Sequence, residues 1–170
     1  MNRIAAILLG LAVIGLWSGC SNYRLGTEGN LTFQSLYVEP VINRTSLPQA
    51  HALVSTAIRA EFLRDGRLNL VNSPDEADAT LSLTLMDYHR EVATVRPGDT
   101  GLARTFALTL GANLTLRDNR TGKILFEKRP VKTSRDAYTD SGQLQAEYQT
   151  LPLLAEALGQ RAAHAVLDVW

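Results

Sequence analysis

The chain has 170 residues, 45% of them hydrophobic and 20% charged, a length and composition that describe one ordinary globular domain and exclude a disordered or repetitive chain. Seventeen Lys and Arg residues balance seventeen Asp and Glu residues, so no global positive field exists to hold a nucleic-acid backbone. The one cysteine, Cys20, cannot form an internal disulfide, a CxxC redox pair or a thiolate-rich metal site.

Arg3 precedes an uncharged apolar run of 13 residues, Ile4 to Leu16. A membrane-spanning helix needs ~20 apolar residues, whereas the hydrophobic part of a secretory signal has ~7–15. The run ends in Trp17-Ser18-Gly19-Cys20, which resembles the lipobox of bacterial lipoproteins, with Trp17 standing where leucine is usual. The resemblance implies that residues 1–19 are a signal peptide and that Cys20 carries diacylglycerol and, on its new α-amino group, a further acyl chain such as palmitate. Each buried CH₂ contributes ~0.8 kcal/mol, so two or three chains anchor a protein stably where one does not. The alternative, a plain signal peptide followed by a free thiol, leaves an exposed lone cysteine in an oxidising compartment. Ser21 rather than aspartate after the cysteine points, by analogy with enteric lipoproteins, to the outer membrane.

Residues 20–30 hold two glycines and two asparagines and read as a lipidated tether, leaving 31–170 as the domain. With about 150 residues in the mature chain, ~68–70% of the unfolded surface can be buried without disulfides. Leu31 to Pro40 is β-like with one change of phase, and 41–46 reads as a loop. Ser46 before Leu47-Pro48 suggests a helix N-cap, after which Ala50, Leu53, Val54, Ala57, Ile58 and Phe62 recur at helical steps until Asp65-Gly66. A short strand at 67–71 and a polar turn at 72–76 follow. Ala79, Leu81, Leu83 and Leu85 alternate with Thr80, Ser82 and Thr84, and Phe106 to Leu116 alternates over a longer stretch. Asp118 to Gly122 is a turn that returns the chain through 123–127 as a β-hairpin. The segment between these strands, Arg96 to Gly101, reads as an exposed loop. A final helical stripe runs through Leu151, Leu154, Ala155, Leu158, Ala162, Ala165, Val166 and Val169, with Leu144 and Tyr148 extending it backward and Pro152 either opening or kinking the helix. The order β-α-β-β-β-β-α predicts an α/β (α+β) fold: one two-layer domain in which a mostly antiparallel or mixed sheet of about four strands packs against two helices.

Catalytic signals are absent. His51, His89 and His164 sit in no HExxH, HxxE or CxxH spacing, no GxSxG elbow occurs, and Gly26-Thr27-Glu28-Gly29 is too short and acidic to cradle phosphate. The expectation is a protein that is not an enzyme, with no cofactor and no metal. Two basic groups stand out: Arg90, Arg96 and Arg104 flank the exposed loop, and Lys128, Arg129, Lys132 and Arg135 follow the hairpin. The strand pairing predicts that both groups fall toward one end of the sheet, either to meet an anionic lipid head group or phosphate, or as a solvated edge that charge protects from aggregation.

Tyr23-Arg24-Leu25-Gly26, the stretch Leu36 to Thr45, Glu61 to Arg67, Glu76-Ala77-Asp78-Ala79, Asp118 to Leu125 and a last helix ending in Trp170 together resemble the lipopolysaccharide-assembly lipoproteins of the LptE family. The resemblance spans essentially the whole mature chain and rests on order and spacing rather than on one motif. It implies a lipid-anchored, non-enzymatic plug and assembly partner of the outer-membrane β-barrel LptD, working in lipopolysaccharide transport to the outer leaflet. On that reading the seven basic residues above are the lipopolysaccharide contacts, and Asp99, Thr105, Thr109, Asn113 and Thr115 are barrel contacts, because small polar side chains suit a wet lumen wall. The alternative is a lipoprotein that activates a peptidoglycan synthase or builds a curli-type secretion channel, whose strand-to-loop signature is similar.

Overall fold

The computed structural model describes residues 31–95, 103–139 and 142–168. Its elements are β1 (Ser35–Val38), β2 (Ile42–Asn43), α1 (Ala50–Asp65), β3 (Asn69–Val71), a 3₁₀ turn (Pro74–Glu76), β4 (Ala79–Val95), β5 (Ala103–Asp118), β6 (Ile124–Tyr138) and α2 (Gln143–Leu167). The signal peptide, Cys20, the tether, Arg96 and Asp99 lie outside the described residues, as does the side chain of Arg104.

The strands form one mixed six-stranded sheet in the order β3-β1-β4-β5-β6. β1 runs parallel to both neighbours, with Leu36 opposite Leu70 on one side and Ala79 on the other. β2 pairs with Thr84 and Leu85 further along the same edge of β4, so β1 and β2 succeed one another beside a single long strand. β4, β5 and β6 form an antiparallel meander. The fold class matches the sequence reading, with six strands where about four were expected.

The alternating leucines explain the two layers. Leu81, Leu83 and Leu85 of β4 and Leu108, Leu110, Leu114 and Leu116 of β5 are fully or almost fully buried beneath the helices, while their Thr, Ser and Asn neighbours occupy the other face. Val54, Ile58 and Phe62 of α1 and Leu154, Leu158, Ala162 and Val166 of α2 close the core from above. α1 ends as expected: Gly66 adopts φ 73°, a left-handed conformation that glycine takes without the Cβ penalty, and its N–H bonds the Phe62 carbonyl at 3.1 Å.

Four expectations change. Residues 42–43 are a strand, because they pair with β4. Ser46 is not the N-cap; α1 begins at Ala50 after Gln49, which makes no side-chain cap bond. The preceding turn is instead tied by Asn43, whose Nδ2 donates to the Leu47 carbonyl at 2.7 Å, and by Thr45, whose Oγ1 accepts from the Leu47 N–H at 3.3 Å. Leu144 and Tyr148 do not extend the buried stripe of α2. They are 82% and 69% exposed, and the small residues Ala146 and Thr150 face inward in their place. Lastly, the two basic groups do not gather at one end of the sheet, as the register below shows.

Pro152 lies inside α2 rather than at its start. It removes one N–H from the helical ladder. Farther along, α2 passes close to α1 at Gly159, where a Cβ would sit 3.0 Å from the Ala57 carbonyl carbon and 3.1 Å from the Ile58 nitrogen. A larger residue there would press on the α1 backbone, which would have to give by a few tenths of an ångström.

Candidate functional site

The helices cover one face of the sheet, and the other carries half-buried Thr80, Ser82 and Thr84 of β4 beside Thr109, Asn113 and Thr115 of β5. Its hydroxyls are partly tied down by the sheet itself: Thr109 Oγ1 bonds Ser134 Oγ at 3.2 Å, and Ser134 Oγ donates to the Leu108 carbonyl at 3.2 Å. Three of the expected barrel contacts, Thr109, Asn113 and Thr115, therefore share one polar face. Thr105 differs, because it is only 6% exposed. Near the β5–β6 turn this face is concave, a depression of about 770 Å³ bordered by Tyr37, Pro40, Ser82, Thr115, Arg117 and Arg120.

The turn that frames the depression is held by side chains. The Asp78 carboxylate accepts the backbone N–H groups of Gln34 and Ser35 at 2.8 and 3.1 Å, and these bonds keep its pKa below the usual carboxylate value. Asp118 accepts the N–H groups of Arg120 and Thr121 at 2.9 and 3.0 Å and is likewise lowered, chiefly by Thr121. Asn119 Nδ2 reaches the Ala77 carbonyl and Thr80 Oγ1, both at 2.9 Å, and so locks the hairpin to the start of β4. The family resemblance drew on these residues; the bonds show that they hold the fold together.

The basic residues divide by register. Arg90 and Arg135 both stand opposite Leu108, whereas Arg129 stands opposite Leu114. Six residues along a strand is about 20 Å, so Arg129 stands apart from Arg90 and Arg135, with Lys132, opposite Gly111, midway between them. Arg90 is engaged: it pairs with Glu147 of α2 and lies 5.4 Å from the Phe106 ring centroid. Tyr88 donates to the same carboxylate at 3.4 Å, and burial together with the adjacent Glu147 charge pushes its pKa up to about 12. Sequence reasoning missed Glu147 and Tyr88 because neither follows the apolar stripe. Arg129 is also engaged, donating to the Ala165 carbonyl at 2.8 Å and stacking 4.1 Å from the Phe126 centroid. Lys128 and Lys132 remain exposed, and Lys128 occupies a bulge with φ 48°, its N–H donating to Thr115 Oγ1 at 3.1 Å.

Among the described residues no cluster of three or more His, Cys, Asp or Glu side chains could hold a metal, and no helix is long and apolar enough to cross a membrane. His89 and His164 lie 3.9 and 3.7 Å from Asp87 and Asp168 on exposed surfaces.

A family model described as LptE, lipopolysaccharide-assembly, matches residues 33–166. The chain belongs to the LptE family. The match runs from buried Phe33 to buried Val166, all but the outermost residues of the described domain. No curated protein matches the sequence. Solved structures share the fold at low identity. A protein from Xanthomonas campestris has 13% identity and a TM-score of 0.59, covering 81% of this chain and 85% of its own. A hypothetical protein from Chlamydia trachomatis, also 13% identical, gives 0.57 with 80% and 97% covered. A minor lipoprotein from Acinetobacter baumannii, 17% identical, gives 0.54 with 81% and 94% covered. These likenesses establish the architecture alone.

Proposed function

We propose that this LptE-family chain is an outer-membrane lipoprotein, exported and anchored through acylated Cys20, that occupies the lumen of the LptD β-barrel and serves the barrel's assembly and the passage of lipopolysaccharide. The observation that carries the reading is the family match over residues 33–166. The open sheet face suits the partner chemically. Its half-buried threonines and asparagine offer short donors and acceptors to a polar, hydrated barrel wall. Thr109, Asn113 and Thr115 are the proposed barrel contacts on it, together with Asp99 of the segment that links β4 to β5 in the sequence. For lipopolysaccharide phosphates the reading favours Arg96, Arg104 and Arg135 at the loop end. Arg90 there acts mainly as the partner of Glu147.

Photo-crosslinkers at Thr109 and Asp99 test the partner, and the expected product has the mass of the chain plus a large barrel. Depletion should lower mature barrel and admit large hydrophobic antibiotics. Unchanged barrel level and permeability, together with altered cell-wall synthesis, would overturn the reading in favour of a synthase activator.

A further inference from the structure

The second half of β4 is less covered than the first. β2 leaves it level with Leu85, and among the described residues no strand pairs with β4 beyond that point on the side away from β5. From Asp87 to Val92 the strand keeps an unbroken register with β5, between two shifts, while its outward N–H and C=O groups join no ladder. The helix layer is open at the same place. α1 begins at Ala50, soon after β2, and leads back to β3, whose Asn69 stands opposite Ser35, so it roofs β4 only as far as about Leu85. α2 reaches further, with Glu147 bonded to Tyr88 and Arg90. It meets α1 at Gly159. Tyr148 lies eleven residues before Gly159, about three turns, and hence on the same flank. Tyr148 and, one turn earlier, Leu144 therefore project into the lane that α1 fills further along, which is why they are exposed.

We propose that this open edge takes up one extended segment of the partner barrel as an added strand, beside Asp87–Val92 and in line with β1 and β2. The occupant rests on the barrel reading above. In such a mode backbone hydrogen bonds supply the pairing and alternate side chains the specificity. Alternation places Tyr88, Arg90 and Val92 on the helix side, and Asp87, His89 and Glu91 on the open side. The helix side is an apolar ledge: Val92 is exposed, Phe106 opposite it is half-buried, and the Arg90 charge is already paired with Glu147. On the open side both carboxylates are exposed. Among the described residues Glu91 has no cationic partner, and Asp87 has only His89, at 3.9 Å. The complementary segment therefore carries cations opposite Asp87 and Glu91, four residues apart, and apolar residues at the alternate positions. A second copy of this chain fits worse. Antiparallel self-pairing about His89 would set each Asp87 against the other copy's Glu91, a like-charge contact. Sequence reading missed the edge, because the strand's exposed half looks the same in a linear chain whether or not a neighbour lies beside it.

The test uses the full chain, affinity-tagged and purified together with its barrel from detergent-solubilised outer membranes. Hydrogen exchange compares Asp87–Val92 in that complex and in the chain alone, and alternate amides there should slow by about tenfold or more in the complex. A photo-crosslinker replacing Val92 should trap one barrel peptide with two cations four residues apart and apolar residues between. Asp87→Lys with Glu91→Lys should abolish both the protection and the cross-link without changing the free chain's melting temperature. Reversing the two cations of the trapped peptide to glutamate should restore both, and Asp87→Glu with Glu91→Asp should retain them. Unprotected Asp87–Val92 amides in a complex whose Thr109 still cross-links to the barrel would overturn the added strand alone. Protection that arises in the chain alone as its concentration rises, or a Val92 cross-link to lipopolysaccharide or to a barrel peptide lacking the two cations, would overturn it too. If no barrel accompanies the tagged chain, the barrel reading falls and the added strand with it.

Discussion

Leu158 and Leu144 lie on the same helix and offer the same side chain, but one is fully buried and the other 82% exposed. Replacing each by alanine therefore isolates burial. Leu158→Ala removes three carbon groups from the buried core, each worth ~0.8 kcal/mol of transfer free energy. The cavity left behind adds to that, because a packed core relaxes only partly, and the total reaches about 3–4 kcal/mol. For a domain of this size the melting temperature should fall by roughly 10 °C. Leu144→Ala gives up almost no buried area and should stay within about 0.5 kcal/mol of the parent. Urea denaturation of the purified chain, followed by circular dichroism, reads both, and an unchanged m-value certifies that the same surface unfolds. Equal losses, or a larger loss at Leu144, would refute the face assigned to α2 and return the stripe to the one that periodicity alone suggests.

Gly159→Val should destabilise by about 1–3 kcal/mol in the same assay, since its Cβ meets α1 backbone that cannot swing aside; a variant as stable as the parent would show that the helices separate freely. Acidification below about pH 4 should lower stability, because Asp78 and Asp118 have folded pKa values beneath the ordinary 3.8, so the stability they contribute is whole above that value and is lost as pH falls through the depressed ones. Asp78→Asn with Asp118→Asn should flatten that acid limb, and an equally steep fall in the double variant would contradict the sign. In the alkaline range Tyr88 should keep its proton until about pH 12, and Tyr88→Phe should erase the highest transition in an ultraviolet titration of the tyrosines; stability from this group is whole below about pH 10 and lost as pH rises through 12.

Strands β4 and β5 were legible because each is sealed by helices on one side and polar on the other, so leucine and threonine alternate. That legibility stops at Leu85, where a register shift places Met86 out of line and moves the inward phase to Tyr88 and Arg90. The far half of β6 was unreadable for a related reason. Lys128 bulges, Pro130 cannot donate, and only Thr133 and Ala137 are buried there, so a charged edge strand resembles a loop. In α2 the misleading residues were the large ones. Ala146 and Thr150 approach the core, and a rule that counts apolar bulk passes over them in favour of Leu144 and Tyr148. The basic residues were visible one by one, but their grouping depends on a register set by that bulge and on a helix returning from the far end of the chain.

The position of β1 has a mechanical consequence. Tension on the chain ahead of Leu31 is delivered along the axis of a strand that is bonded in parallel to β3 on one side and β4 on the other. The hydrogen bonds of both ladders then carry the load together in shear, rather than opening one after another as they would if an edge strand were peeled away. Asp78 grips Gln34 and Ser35 at the point where the force arrives. From β4 the load spreads into the long antiparallel meander, so a pull at the N-terminal side strains the whole sheet instead of unravelling its first element.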